Sequence, residues 1–409
     1  MNEYLFTKIR QQFDNTSIAN IEATVIEQVT AKLHIQPGAS IAIGAGSRGI
    51  ANIARIVGAV VQAVKLKGGN PFIFPAMGSH GGATGEGQRE ILATYDITEE
   101  TMSCPIQSSM EVVQLDNGGM ELPLYMDKHA HDSDGIILVN RIKPHTAFHA
   151  QYESGLIKMS IIGLGKERLA NAIHSYGVHG LKVLMPQAGR RILETGKVLL
   201  GVGIVENAYD QTAIIEALTP AEILSREPVL LNLAKAMMPS FPMKEIDVLV
   251  VDQIGKNISG SGMDPNVIGR MRIRGSAEPE FPNIKSIIIT DLTDVSHGNA
   301  CGIGLADVAT RRLADKVDWD VTYMNGITSG FYEHFMLPIV APNDRQALEW
   351  GIRASHDPHK PKKIVRITDT LHVSEMYVSQ PALEEVRDKV EILSQPVNLF
   401  DQQGSLIPF

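Results

Sequence analysis

Of the 13 histidines in this 409-residue chain, six lie between positions 129 and 179: His129, His131, His145, His149, His174 and His179. The densest run is Asn140-Arg141-Ile142-Lys143-Pro144-His145-Thr146-Ala147-Phe148-His149. It is followed by Glu153-Ser154-Gly155-Leu156-Ile157-Lys158 and then by His174. Imidazole works as a base near neutral pH and is the usual protein ligand for zinc, nickel or copper. A zinc hydrolase would need the glutamate of H-E-x-x-H, but Thr146 follows His145. The two cysteines, Cys104 and Cys301, cannot form a thiolate zinc site. The structural alternative is a set of solvated histidines, one or two of them capping helices.

Three other segments carry candidate chemistry. Gly44-Ala45-Gly46-Ser47-Arg48-Gly49 reads G-x-G-x-x-G between a strand-like and a helix-like stretch. A dinucleotide site also needs an acid about 20 residues on for the ribose. The matching stretch, Gly69 to Ala76, has none. A small-anion site built from Arg48 and helix amides therefore ranks above NAD binding, with a plain tight turn as the bland alternative. Gly78-Ser79-His80-Gly81-Gly82-Ala83-Thr84 sets one histidine among small residues that leave a substrate room to approach. In Val251-Asp252-Gln253-Ile254-Gly255-Lys256-Asn257, Gln253 and Lys256 follow a strand and could clamp a carboxylate.

The elements that must hold these loops alternate along the chain. Periodicity predicts helices over 17–34, 50–67, 84–95, 165–175, 186–195 and 219–238, and strands over 39–43, 71–75, 135–140 and 197–205. After the segment PSFPMKE (239–245) the alternation restarts, with strands 246–251, 284–290, 320–324 and 362–367 and helices 302–317 and 343–354. This pattern implies an α/β fold: two α/β domains with mostly parallel sheets, with Gln253 and Lys256 facing a cleft between them, which the resemblance given below makes the active-site cleft. The expected boundaries are 1–240 and 245–409, with the last residues a candidate to pack back on the first domain. A chain 44% hydrophobic and 20% charged falls outside the disordered class. A net charge of −9 without a basic run argues against nucleic-acid or anionic-membrane partners. The N-terminal stretch MNEYLFTKIR is amphipathic and charged, unlike a secretory leader, and apolar runs are too short to span a bilayer. A cytoplasmic setting is expected.

Taken together, these segments resemble the nickel-dependent lactate racemase family, whose members racemise or epimerise 2-hydroxy acids. The resemblance rests on Ser47-Arg48, Ser79-His80, Pro144-His145, Ser154-Gly155-x-x-Lys158, His174 and Gln253-x-x-Lys256, an ordered set spanning most of the chain. It implies a nickel-pincer nucleotide cofactor, with Lys158 as its covalent tether, Gly46 and Ser47 in its binding loop, and His174 as the nickel ligand. Arg48, Gln253 and Lys256 would hold the substrate, and His80 would be one of two bases. His145 is the second, with His149 as the alternative, because the stretch before Lys158 runs longer than in the racemase pattern. Implied partners are a small 2-hydroxy acid and the cofactor maturation proteins. The wording GSHGGAT and ESGLIKM differs from the lactate enzyme, which points to another substrate such as a sugar acid. The competing classes are an NAD-dependent oxidoreductase, a zinc hydrolase and a non-catalytic small-acid binding protein. A binder has no use for two bases and a metal ligand.

Overall fold

A computed structural model describes residues 4–46 and 49–409. The chain divides into two units, residues 14–238 and residues 4–13 joined with 239–409. In the first unit a five-stranded sheet runs in the order Asn70–Pro75, Ser40–Ala45, Gly135–Arg141, Val198–Glu206, Thr212–Leu218. The first four strands are parallel, and the fifth returns antiparallel to Val198–Glu206. Sequences such as SIAIGA and GIILVNR are apolar on both faces, as a parallel sheet covered on both sides requires. The helix Ile53–Leu66 buries Ile56, Val57, Val60 and Val64 in the core beside Ile41, Ile43 and Ile73. The helix Pro220–Met237 starts on a capping box between Thr219 and Glu222, with Pro220 in its first turn, where proline's missing donor costs nothing.

Register aligns Ala45 with Pro75 and with Val139, so three strands end side by side. The loops bearing Gly46, His80 and His145 therefore leave one carboxyl edge, the edge at which open α/β sheets bind ligands. Beyond the third loop, helical residues 156–163 and 166–194 contain two π-helical stretches, Met159–Gly163 and Gly180–Leu184. Short π segments within helices recur at functional sites.

The second unit is built on a nine-stranded sheet. Its order is Ile339–Ala341, Val308–Thr310, Asn283–Leu292, Glu245–Ile254, Ile364–Ile367, Glu375–Ser379, Leu5–Arg10, Glu391–Ile392, with Val397–Asn398 also on Leu5–Arg10. The first five strands are parallel and the rest antiparallel.

Four expectations need correction. The N-terminal residues form a strand of this sheet instead of joining the first unit, because Phe6 and Ile9 are core residues and Phe6 packs with Val250 and Leu399. The C-terminal residues return to that strand, and so stay within their own unit. The helix expected over 302–317 is interrupted by the strand Val308–Thr310, whose fully buried residues pair with Ile288, Ile289 and the 339–341 strand. The strand expected over 320–324 lies inside the helix Trp319–Ser329: Asp318 caps it by accepting from Asp320 N and Val321 N, which outweighs the β-branched and aromatic run. Among the described residues no helix is long and apolar enough to cross a membrane.

Candidate active site

The first unit carries a small open cavity of about 180 Å³ at its carboxyl edge. Its walls include Gly46, His80, Asn140, Lys143, Ser154 and Lys158, with Arg141 beside them. Gly46, His80 and Lys158, assigned from three separate segments of sequence, thus line one space. Ser47 and Arg48, expected beside Gly46, lie outside the described residues. Gln253 and Lys256 belong to the other unit. Gln253 is exposed at the end of Glu245–Ile254, and Lys256 donates from Nζ to Gly260 O at 2.7 Å and from its backbone to Ser296 Oγ.

Each cavity residue is held by its loop's backbone. A Cβ at Gly46 would come within 3.0 Å of Asn140 Oδ1, and Asn140 Nδ2 donates to Gly155 O at 2.9 Å. The His80 loop turns through left-handed backbone at Gly78, Gly81 and Gly82. At Gly81 a Cβ would sit 2.5 Å from the Gly87 backbone, so this turn admits only glycine. Gln88, fully buried, donates from Nε2 to both Gly78 O (2.9 Å) and His80 O (3.2 Å). The His145 loop is closed by paired backbone bonds between Lys143 and Ser154.

Inside that loop the buried Glu153 is the organising group. It accepts from the backbone N–H groups of His145 (2.7 Å) and Ala150 (3.2 Å) and from Lys235 Nζ (2.6 Å). Its Oε2 also lies 3.4 Å from His149 Nδ1. Burial raises its pKa, but these donors outweigh that and hold the carboxylate ionised. The two histidines consequently differ. His145 Nδ1 accepts from Ala147 N–H at 3.1 Å, which assigns the neutral ring's proton to Nε2. Nε2 becomes a base only when that contact opens. His149 presents Nδ1 to a carboxylate, the arrangement that leaves Nε2 as acceptor.

Electrostatics ties the cluster together. Burial, then the charge of Lys143, brings Lys158 down to about 8. Burial, then Lys158 and Lys143, pushes His145 well below the ordinary imidazole value. His174, an exposed residue, stands in the last turn of Lys166–Ser175; desolvation and then Lys158 lower it too. Near neutral pH the two imidazoles are neutral, and Lys158 keeps a neutral, nucleophilic fraction.

No family model matches the chain, and no curated protein does. A solved structure does. The lactate racemase apoprotein from Thermoanaerobacterium thermosaccharolyticum superposes with a TM-score of 0.54 at 15% sequence identity, over 90% of this chain and 99% of that one. The likeness is one of fold: two α/β units with parallel-rich sheets.

Among the described residues no three His, Cys, Asp or Glu side chains converge as a cation cage. Two positions went unread in the sequence. Glu227, 1% exposed on the helix Pro220–Met237, accepts from Ile157 N at 3.0 Å and from Leu156 N. It thereby caps the short helix that ends in Lys158, and it occupies the space a Cβ at Gly155 would need. The signal was a charged residue on an apolar helix face beside an interior proline. Pro228 leaves Leu224 O without its helical donor, and Tyr152 Oη donates to it at 2.6 Å. The second position is Lys166, considered below.

Proposed function

We propose that the chain is a nickel-dependent isomerase, a racemase or epimerase that inverts C2 of a 2-hydroxy acid other than lactate, with a sugar acid the first candidate. The observation that supports this reading is the convergence of Gly46, His80 and Lys158 on one cavity, in a chain with a lactate-racemase-like fold. Lys158 would hold a nickel-pincer nucleotide through Nζ, His174 would donate a ring nitrogen to nickel, and Gly46 and Ser47 would complete the binding loop. When bound, that cofactor supplies a carbon able to accept and return the C2 hydride.

The chain's own residues handle the proton and the orientation. Hydride can leave C2 only as the hydroxyl proton leaves, so a neutral base must stand at that oxygen, and inversion needs one on each face. His80 and His145 are the proposed pair, each worth roughly 10²–10⁴-fold as a general catalyst. Burial and neighbouring lysines keep His145 uncharged over the range where a base is needed. Arg48, Gln253 and Lys256 are the proposed carboxylate and hydroxyl contacts, which confine motion to C2.

The experiment is to make the protein in cells that also make the cofactor, then measure nickel per chain, intact mass and loss of optical rotation on single enantiomers. Wild type should carry nickel and, if Lys158 is the tether, a mass increment that Lys158→Ala lacks. His174→Ala should lose nickel. Holo wild type without nickel, or His174→Ala with undiminished nickel, would overturn the cofactor assignment.

A further inference from the structure

We propose that Lys166 is a positioning residue: its ammonium group fixes the His80 loop to the segment that carries Lys158 and His174. This deepens the reading above, which gives the three residues their roles, but its test does not depend on it.

Lys166 stands eight residues after Lys158 and eight before His174. It opens the helix Lys166–Ser175 just past the π-helical stretch Met159–Gly163, where the helical path breaks. Its φ of +52° lies in the left-handed region, a costly conformation for a long side chain, and one that persists only when surroundings impose it. The side chain has no exposed surface. Nζ donates to Pro75 O (2.6 Å) and Gln88 Oε1 (3.2 Å), lies 3.1 Å from Asp127 Oδ2, and stands 5.9 Å over the Phe74 ring.

Two of these contacts lead to the His80 loop and the third to a neighbouring hairpin. Pro75 is the last residue of the strand from which the His80 loop departs. Gln88 is the residue whose amide nitrogen holds Gly78 O and His80 O, and Lys166 fixes the orientation of that amide by occupying its oxygen. Asp127 closes the hairpin Val112–Leu115 with Leu124–Asp127, its N–H donating to Leu164 O at 2.6 Å, two residues before Lys166. A buried ion pair contributes little net stability and is costly to break from one side. A leucine or methionine with ordinary backbone could fill this volume. What a cation at a left-handed kink adds is two directed hydrogen bonds toward the His80 loop beside the charge of Asp127, and here they set His80 relative to Lys158 and His174.

The test is hydrogen–deuterium exchange of the apoprotein by mass spectrometry on two variants. Lys166→Met combined with Asp127→Asn removes both charges and so avoids leaving one buried ion alone. Gln88→Glu keeps the Lys166 and Asp127 charges but removes the amide donor to Gly78 O and His80 O. Both should keep the protection of strand Gly135–Arg141, while peptides covering 76–90 exchange about tenfold faster or more. Should the double variant fail to fold, Lys166→Met alone takes its place, with Lys166→Arg, which keeps the cation, expected to restore slow exchange over 76–90. Unchanged exchange over 76–90 in every folded variant would overturn the proposal and leave Lys166 a buried ion pair with no hold on the loop. Failure of the racemase reading shows separately, as wild type without nickel or turnover.

Discussion

The loops at the carboxyl edge of the five-stranded sheet and those at the carboxyl edge of the nine-stranded sheet share their ingredients and differ in electrostatics. Both are rich in glycine and serine, and each sets a lysine just beyond a strand or helix start. In the first unit the ionisable groups are displaced: Lys158 to about 8, His145, His174 and Lys166 downward, Glu227 up to about 8, each with burial as its largest cause. In the second, Gln253 is exposed and Lys256 is half-exposed with its ammonium on Gly260 O; the displaced groups near its loops include Cys301 and Asp252, both raised by burial, and His334, lowered by it, and Asp252 is already paired with Arg366. His334 is spent on Met271 O at 2.6 Å. Loop glycines supply room, but reactivity comes from charged groups taken out of water beside one another. On the proposed function, proton and cofactor chemistry fall to the first unit and substrate holding to the second.

The largest effect that could break this contrast concerns the two histidines of one loop. His145→Ala should lower turnover of a resolved 2-hydroxy acid by about 10²–10⁴-fold, and His149→Ala by no more than a few-fold. The electrostatic coupling of His145 to Lys158 and His174 motivates this order. Steady-state rates from each enantiomer decide it. The reverse outcome would make His149 the base, with Glu153 orienting its ring, and would turn the contact of His145 with Ala147 N–H into a structural one.

How far this contrast could be read from sequence depends on the kind of signal. Gly46, His80 and Lys158 were legible because strand-loop-helix order puts each loop at the same sheet edge, and the sheet then brings them together whatever their distance in sequence. The strand Val308–Thr310 was not, because a three-residue strand buried between two others looks like part of a helical repeat. The N-terminal strand was hidden for a different reason. Its partners, Glu375–Ser379 and Val397–Asn398, lie more than 360 residues away, and local pattern carries no trace of such pairing. Glu227 and Lys166 were missed because single charged residues inside otherwise ordinary helices read as solvated, and only tertiary burial reverses that.

A smaller effect, on stability, sharpens the first half of the contrast. Glu227 is held near 8, against an ordinary value of 4.5, chiefly by burial, with Ile157 N–H and Leu156 N–H pulling the other way. For an acid whose folded pKa is raised, the folded state binds more protons than the unfolded state between the two values. Its contribution is therefore complete below about 4.5 and is lost as pH rises through about 8. The span corresponds to a few kcal/mol at most, since one unit is about 1.4 kcal/mol. Wild type should lose denaturant stability steadily from pH 5 to 8, whereas Glu227→Gln, which keeps an acceptor for the two N–H groups without a charge, should lose much less. Urea melts at three pH values in that window measure the slopes. Equal slopes in both proteins would mean that Glu227 stays ionised and that burial does not govern this part of the site.

The smallest expected effect lies in the second unit, where Lys256 is half-exposed and its ammonium donates to Gly260 O. Lys256→Ala removes the donor to Gly260 O, yet Gly255 and Gly262 keep their own packing: a Cβ at Gly255 would strike Thr293 and Ser296, and Gly255 N still donates to Gly262 O at 2.8 Å. The loop should survive, with global stability changed by no more than about 0.5 kcal/mol. If Lys256 holds the substrate carboxylate, what it loses is a charge-assisted bond, worth about 1.5–3 kcal/mol, and KM should rise by roughly ten- to a hundredfold with kcat changed far less. Nickel content and the Lys158 mass increment should match wild type, since neither is proposed to involve this unit. A Lys256→Ala protein that loses nickel as His174→Ala does would place Lys256 with the cofactor and dissolve the division of labour between the two sets of loops. Unchanged KM and kcat would remove Lys256 from substrate binding and leave its ammonium a local brace for Gly260.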